Sequence, residues 1–190
     1  MLKTFDTAPE LEVSEWINTP RVLTLADLRG RVVLLHAFQM LCPGCVSHGL
    51  PQASKARELF SERDLAVIGL HTVFEHHDAM GAGALRAFVH EYRLSFPIGI
   101  DKPGSAAVPL TMQAYALQGT PSLVLLDRLG GVRLHHFGLI DDMALGALIG
   151  QLIAEGDGAA ARTAPQGDRG VGDVANPTDP GCDAAACAVR

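Results

Sequence analysis

The 190-residue chain lacks what would mark it for a membrane or a nucleic acid. No apolar run approaches the ~18 residues that a bilayer-spanning helix needs, so no membrane partner is expected. Fifteen Lys and Arg stand against 21 Asp and Glu, a net charge of -6, and the basic residues are scattered. A surface that neutralises phosphates needs them clustered, so no nucleic-acid partner is expected either. The opening residues, Met1 to Glu10, have no basic patch followed by an apolar stretch and a small-residue cleavage site, and the expected location is therefore cytoplasmic. Cysteine is scarce, four in all. In a reducing compartment so few thiols are poor structural staples, and their spacing becomes the informative feature.

A second lack sets the domain organisation. Residues 155–190 contain no Leu, Ile, Met, Phe, Tyr or Trp and are rich in Gly and Ala. Such a segment has little apolar surface to offset the entropy of ordering it. The reading is one domain over residues 1–154 and a flexible tail over 155–190, ending in the pair Cys182 and Cys187.

What is present before residue 155 is an alternation of strand and helix patterns. Val32 to Phe38 and Leu65 to Leu70 are short apolar runs suited to strands buried on both faces. Pro43 to about Arg63 reads as a helix, with Pro tolerated in its first turn. Leu85, Phe88, Val89 and Tyr92 have the spacing of an amphipathic helix. A short strand is expected around Phe96 to Ile100, and another strand-like stretch, Leu11 to Ile17, holds the single Trp, Trp16, read as a filler. Ser122 to Leu126 and Val132 to Phe137 flank a Gly-bearing turn and read as a hairpin. Asp141 and Asp142 then open a last helix. The order implies an α/β sandwich with a mixed central sheet.

Cys42-Pro43-Gly44-Cys45 sits where the first buried strand runs into the long helix. Unpaired N–H groups and the helix dipole favour an anion there, so a Cys42 thiolate is favoured. Cys45, one turn further in, is shielded and close enough to attack a mixed disulfide formed at Cys42. The pair can therefore cycle between dithiol and disulfide, Cys42 attacking and Cys45 resolving. A single C-x-x-C also begins many zinc sites, and an inert pair at a helix start is a third reading. Haem attachment is excluded, because Val46 rather than His follows Cys45.

With these motifs the chain resembles the thioredoxin superfamily, in particular its redoxin branch, over residues from about 10 to 154. The resemblance rests on the strand Val32 to Phe38 leading into Cys42-Pro43-Gly44-Cys45, on Gly119-Thr120-Pro121 before the strand Ser122 to Leu126, and on the turn Asp127 to Gly131. It implies a thioredoxin-like three-layer sandwich and a thiol-disulfide oxidoreductase that needs no cofactor and no metal. It implies that Pro121 is cis and packs against the cysteines, and that Thr120 binds a substrate polypeptide by strand-like pairing, with Pro43 and Gly44 also facing the substrate. The substrate would be a protein or small-molecule disulfide, and the electron donor a reductase or another dithiol protein. His36, six residues before Cys42, stands where thioredoxins often bury a proton-relaying acid; an imidazole can do that work, and the alternative is a strand histidine satisfied by a backbone group. Two positions depart from the family. Leu41 replaces the usual Trp, and Pro51 lies six rather than five residues beyond Cys45.

Related peroxiredoxins carry P-x-x-x-T-x-x-C, and here Leu35 and Gln39 take the Pro and Thr positions, which makes a thiol-dependent peroxidase the weaker reading. A metal-binding thioredoxin-like protein is the other alternative, because His71, Glu75, His76, His77 and Asp78 crowd one segment. Loops at strand ends also carry polar residues simply because they face water. His48 could tune the thiols from the same helix, whereas His135 and His136 point to opposite faces of a strand. Cys182 and Cys187 are accessory thiols that could exchange with Cys42, hold a metal or be incidental. The linker before them, with an r.m.s. span of roughly 26–31 Å, does not limit their reach.

Overall fold

The computed structural model describes residues 7–104 and 108–163, the last eight as backbone only. Six strands form one sheet: β1 Val13–Ile17, β2 Val32–Phe38, β3 Leu65–His71, β4 Ile98–Asp101, β5 Ser122–Leu126 and β6 Val132–Phe137. The helices are α1 Leu50–Leu59, α2 Ala82–Glu91, α3 Leu110–Ala114 and α4 Asp142–Thr163. The order across the sheet is β1-β4-β3-β2-β5-β6. β2, β3 and β4 run parallel, while β1 is antiparallel to β4, β5 to β2 and β6 to β5. The fold is the α/β, thioredoxin-like sandwich with a mixed central sheet that the sequence implies.

The two central strands are buried along their whole length, as expected of strands covered on both faces. Alternate residues of β2 serve different cores. Val32, Leu34 and Phe38 pack with Leu50 and Ala53 of α1, Leu85 and Val89 of α2, and Leu145, Ile149 and Leu152 of α4. Val33, Leu35 and Ala37 pack on the other side with Leu25, Leu28, Met112 and Tyr115. Each fully buried aliphatic side chain of this kind contributes about 1.5–3 kcal/mol relative to exposure. β2 is held in register from both sides, Phe38 opposite His71 and His36 opposite Leu123, and so delivers its C-terminal end, the start of the Cys42 turn, to a fixed place.

Polar contacts fasten the outer elements. The Asp141 carboxylate accepts the N–H groups of Met143 and Ala144 at 2.9 and 3.1 Å and so caps α4. Gln52 of α1 donates to the Ile140 carbonyl and to Asp142, tying α1 to the same cap. Buried Asp101 accepts the N–H groups of Thr111 and Met112, one on each carboxylate oxygen, and so fixes α3 to the end of β4.

Three elements differ from the sequence reading. The helix that opens at Pro43 ends at Leu59 rather than near Arg63, because Phe60 adopts an extended conformation. The five-residue α3, too short to display a periodic pattern, had no counterpart. α4 continues past position 154 to Thr163: the large apolar residues stop there, while the helical backbone runs on through Gly156 and Gly158 into Ala159, Ala160 and Ala161. No helix among the described residues is long and apolar enough to cross a membrane. Cys182 and Cys187 lie outside the described residues.

Candidate dithiol site

The site is built at the C-terminal end of β2. After Phe38 the chain turns through Gln39, Met40 and Leu41. The Cys42 N–H donates to the Gln39 carbonyl at 3.2 Å, which closes the turn. Helical backbone begins at Pro43, which lacks only an N–H that a first turn would leave unpaired. The Cys45 N–H is such a first-turn group, and it donates to the Cys42 sulfur at 3.2 Å. The Cys42 thiol in turn donates to the Thr120 carbonyl at 3.5 Å.

The Thr120–Pro121 bond is cis. The Pro121 ring lies 3.4 Å from where a Cβ on Gly44 would sit, so the second residue between the cysteines is in packing contact with this proline. The strand that follows is fixed by the Gly138 N–H, which donates to the Pro121 carbonyl. Gly119 lies beneath the Phe137 ring, where a Cβ would come within 2.9 Å. The structure thus brings together six residues singled out in the sequence: Cys42, Pro43, Gly44, Cys45, Thr120 and Pro121.

The two sulfurs have different surroundings. Cys42 is half-buried, whereas Cys45 is fully buried. Burial, and then the hydrogen bond with the Cys42 thiol, push the Cys45 thiol up to about 12; the Gln39 main chain and the Thr120 side chain pull the other way. At neutral pH Cys45 holds its proton.

His36 lies on the same sheet face, under the helix start. A Cβ on Gly49 would sit 2.4 Å from its Cε1 and 2.5 Å from its Nε2, so only glycine admits the imidazole there. The Nε2 atom is buried and has no hydrogen-bond partner among the described residues. The expectation of a backbone group satisfying the ring therefore fails at this nitrogen. Burial lowers the His36 pKa to about 4, which keeps the ring neutral.

The one-residue shift of Pro51 has a structural counterpart. Cys45–Gly49 is a π-helical turn, in which the Leu50 N–H donates to the Cys45 carbonyl five residues back. A π-turn accommodates one extra residue in a helix. It also relieves the site where Pro51, without an N–H, could not have continued the regular ladder.

The histidine-rich segment divides. His71 belongs to β3 and is buried, and burial lowers its pKa to about 4. Glu75, His76 and His77 are exposed. Among the described residues no three His, Cys, Asp or Glu side chains are grouped to hold a metal. His135 and His136 are engaged with the carbonyls of Tyr115 and Leu139. His48 pairs with Ser47 on the exposed side of the helix. Gln39 stands out only in the structure. In the sequence it marks no more than the absence of a peroxiredoxin threonine, yet it is 1% exposed, and its amide donates to Glu75 at 3.4 Å. A polar residue directly after a run of seven buried strand residues was the available signal.

A cis-proline loop facing two cysteines at a helix start, on this sheet, defines a thioredoxin-like protein. The family model described as the AhpC/TSA family matches residues 5–135, and the chain belongs to that family. It is 56% identical to a thioredoxin-like superfamily protein of known crystal structure, with a TM-score of 0.77 over 78% of this chain and 97% of that one. It is 48% identical to a thiol-disulfide isomerase from Corynebacterium glutamicum, with a TM-score of 0.76 over 78% and 97% of the two chains. A third relative, NHL repeat-containing protein 2 of Bos taurus, is 27% identical over 121 residues, which are 62% of this chain but 16% of that protein's length.

Proposed function

We propose that the chain is a thiol-disulfide oxidoreductase that works through Cys42 and Cys45. The observation that carries this reading is the placement of the half-buried Cys42 sulfur between the Cys45 N–H and the Thr120 carbonyl, with Cys45 sealed behind it. A Cys42 thiolate attacks one sulfur of a substrate disulfide; that S–S bond breaks and the other substrate sulfur leaves as a thiolate. Cys45 then gives up its proton and attacks the Cys42 sulfur of the mixed disulfide, releasing the second substrate thiol. The Cys42–Cys45 disulfide that remains has delivered two electrons to the substrate. A reductase or another dithiol protein restores the dithiol, and with the opposite potential difference the same steps oxidise a partner.

Cys45 holds its proton strongly, so the resolving step needs an acceptor for it. His36, neutral beneath the π-turn, is proposed as a transient relay. Thr120 is proposed to bind an extended polypeptide through its main chain, with Pro43, Gly44 and Pro121 forming the wall it meets. Cys182 and Cys187 are proposed as accessory thiols, and a reducing, cytoplasmic setting belongs to the same proposal. The similarity to a protein described as a thiol-disulfide isomerase supports the reaction class.

The test is reduction of an insulin-type disulfide substrate. Cys42→Ser should abolish it, and Cys45→Ser should accumulate a mixed disulfide between Cys42 and the substrate, seen as an added mass. Turnover surviving in Cys42→Ser would refute the assignment. Family membership favours a thiol-dependent peroxidase as the second reading, so hydrogen peroxide consumption is followed in the same experiment. Rates near those of free thiols are expected, because Leu35 and Gln39 supply neither the proline nor the hydroxyl of a peroxide pocket.

A further inference from the structure

We propose that Gln39 is a positioning residue for the Cys42–Cys45 turn and that Glu75, in the loop after β3, is its anchor. This inference rests on the dithiol reading above and adds a residue pair that tunes it. Gln39 is the first residue of the turn and touches the site through its backbone: its carbonyl accepts the Cys42 N–H at 3.2 Å. The turn it closes also holds the Cys45 N–H on the Cys42 sulfur at 3.2 Å. One peptide segment therefore bears on both cysteines.

That segment is itself held from outside. The Thr72 N–H donates to the Phe38 carbonyl at 3.1 Å, which extends the β2–β3 pairing past the strand ends and brings the chain after β3 alongside Gln39. The Gln39 amide nitrogen donates to the Glu75 carboxylate at 3.4 Å, and its Oε1 is buried without a partner among the described residues. An amide facing a carboxylate must present its NH2, because its oxygen would be repelled. The consequence is a buried acceptor with no partner among the described residues, which is unfavourable in itself. A leucine of similar size would avoid that cost, so the amide's contribution here is its bond to Glu75. Glu75 is exposed, so an event in the solvent-facing loop, such as a partner's cation drawing the carboxylate away, is transmitted to the dithiol turn through one side chain.

The expected sign follows from what the segment does. A donor on the Cys42 sulfur, here the Cys45 N–H held by this turn, stabilises the reduced pair more than the disulfide. Releasing the anchor weakens it and makes the pair easier to oxidise. The experiment equilibrates the full chain with reduced and oxidised glutathione, alkylates the free thiols and reads the tryptic peptide 32–55, which contains Cys42 and Cys45 but not the tail cysteines. Glu75→Ala and Gln39→Leu should each move the equilibrium about fivefold toward the disulfide. At about 30 mV per tenfold, this is a potential lower by about 20 mV. The double variant should go no further than either single one, and Glu75→Gln, which keeps an acceptor oxygen, should recover most of the shift. A purely structural role for the pair would lower the melting temperature and leave the potential in place. Equilibria within twofold of the unsubstituted chain in both Glu75→Ala and Gln39→Leu would overturn the proposal. If the unsubstituted chain formed no disulfide in peptide 32–55, the dithiol reading itself would fall and take this inference with it.

Discussion

His36 and His71 are two imidazoles enclosed in one hydrophobic layer. Both flank the Phe38 ring, His36 stacked with it at 6.3 Å and His71 tilted at 5.3 Å between ring centroids. Burial lowers each pKa from 6.5 to about 4. More than about one pH unit above 6.5 neither ring binds a proton, folded or unfolded, and the pair makes no contribution to the pH dependence of stability. Below 6.5 the unfolded chain takes up protons that the folded one refuses, so stability falls, by up to ~1.4 kcal/mol per pH unit for each histidine, and the fall levels off below about 4. Urea unfolding measured from pH 7 to pH 4 should show this loss, and His71→Leu should remove about half of its slope. An unchanged slope would mean that His71 takes up its proton in the folded state. The sequence displayed both histidines, one ending a strand pattern and one inside another. It did not display their nearly dry surroundings, which depend on Phe38 and on helices far along the chain.

At the scale of elements, the strands were the easiest to read, because Val32 to Phe38 and Leu65 to Leu70 have the continuous apolar character that burial on both faces demands. The hairpin was equally plain from its glycines. Helix interiors were read from periodicity, and their ends less well, since the stop at Leu59 depends on the conformation of Phe60 rather than on any helix-breaking residue. The π-turn was visible only as an offset of one residue at Pro51. Its packing gives a sharp test. Gly49→Ala would place a methyl 2.4 Å from the His36 ring, and the resulting overpacking should cost on the order of 1–3 kcal/mol in urea unfolding. Adding His36→Ala should return part of that loss, so the double variant should be more stable than the sum of the two changes. Strict additivity would show that the two residues do not press on each other.

For the whole molecule, the chain returns repeatedly to the dithiol end of the sheet. β2 supplies the turn to Cys42, β5 starts from the cis-proline loop, and β6 returns through Gly138 to bond Pro121. The site's residues could be listed from motifs, but their convergence required the antiparallel placement of β5 against β2, which a linear pattern of strands does not specify. The opposite edge is secured by Asp101, whose carboxylate holds α3 to the end of β4. Asp101→Ala leaves the N–H groups of Thr111 and Met112 without their acceptor, at a cost on the order of 1–3 kcal/mol for each if it stays buried. Asp101→Asn keeps one acceptor oxygen and should lose less. Equal stability of the two variants would show that α3 is held by packing alone.

The wide turn at Cys45–Gly49 has a bearing on how this chain is matched to its relatives. Because the extra residue is absorbed within a single turn, Leu50, Ala53 and Ala56 still face the sheet, and the remainder of the helix keeps its rotational phase. Chain length can thus change by one immediately behind the dithiol without repacking the core. A superposition with a relative whose proline falls five places after its second cysteine should slip by a single position inside this turn and be back in step on either side.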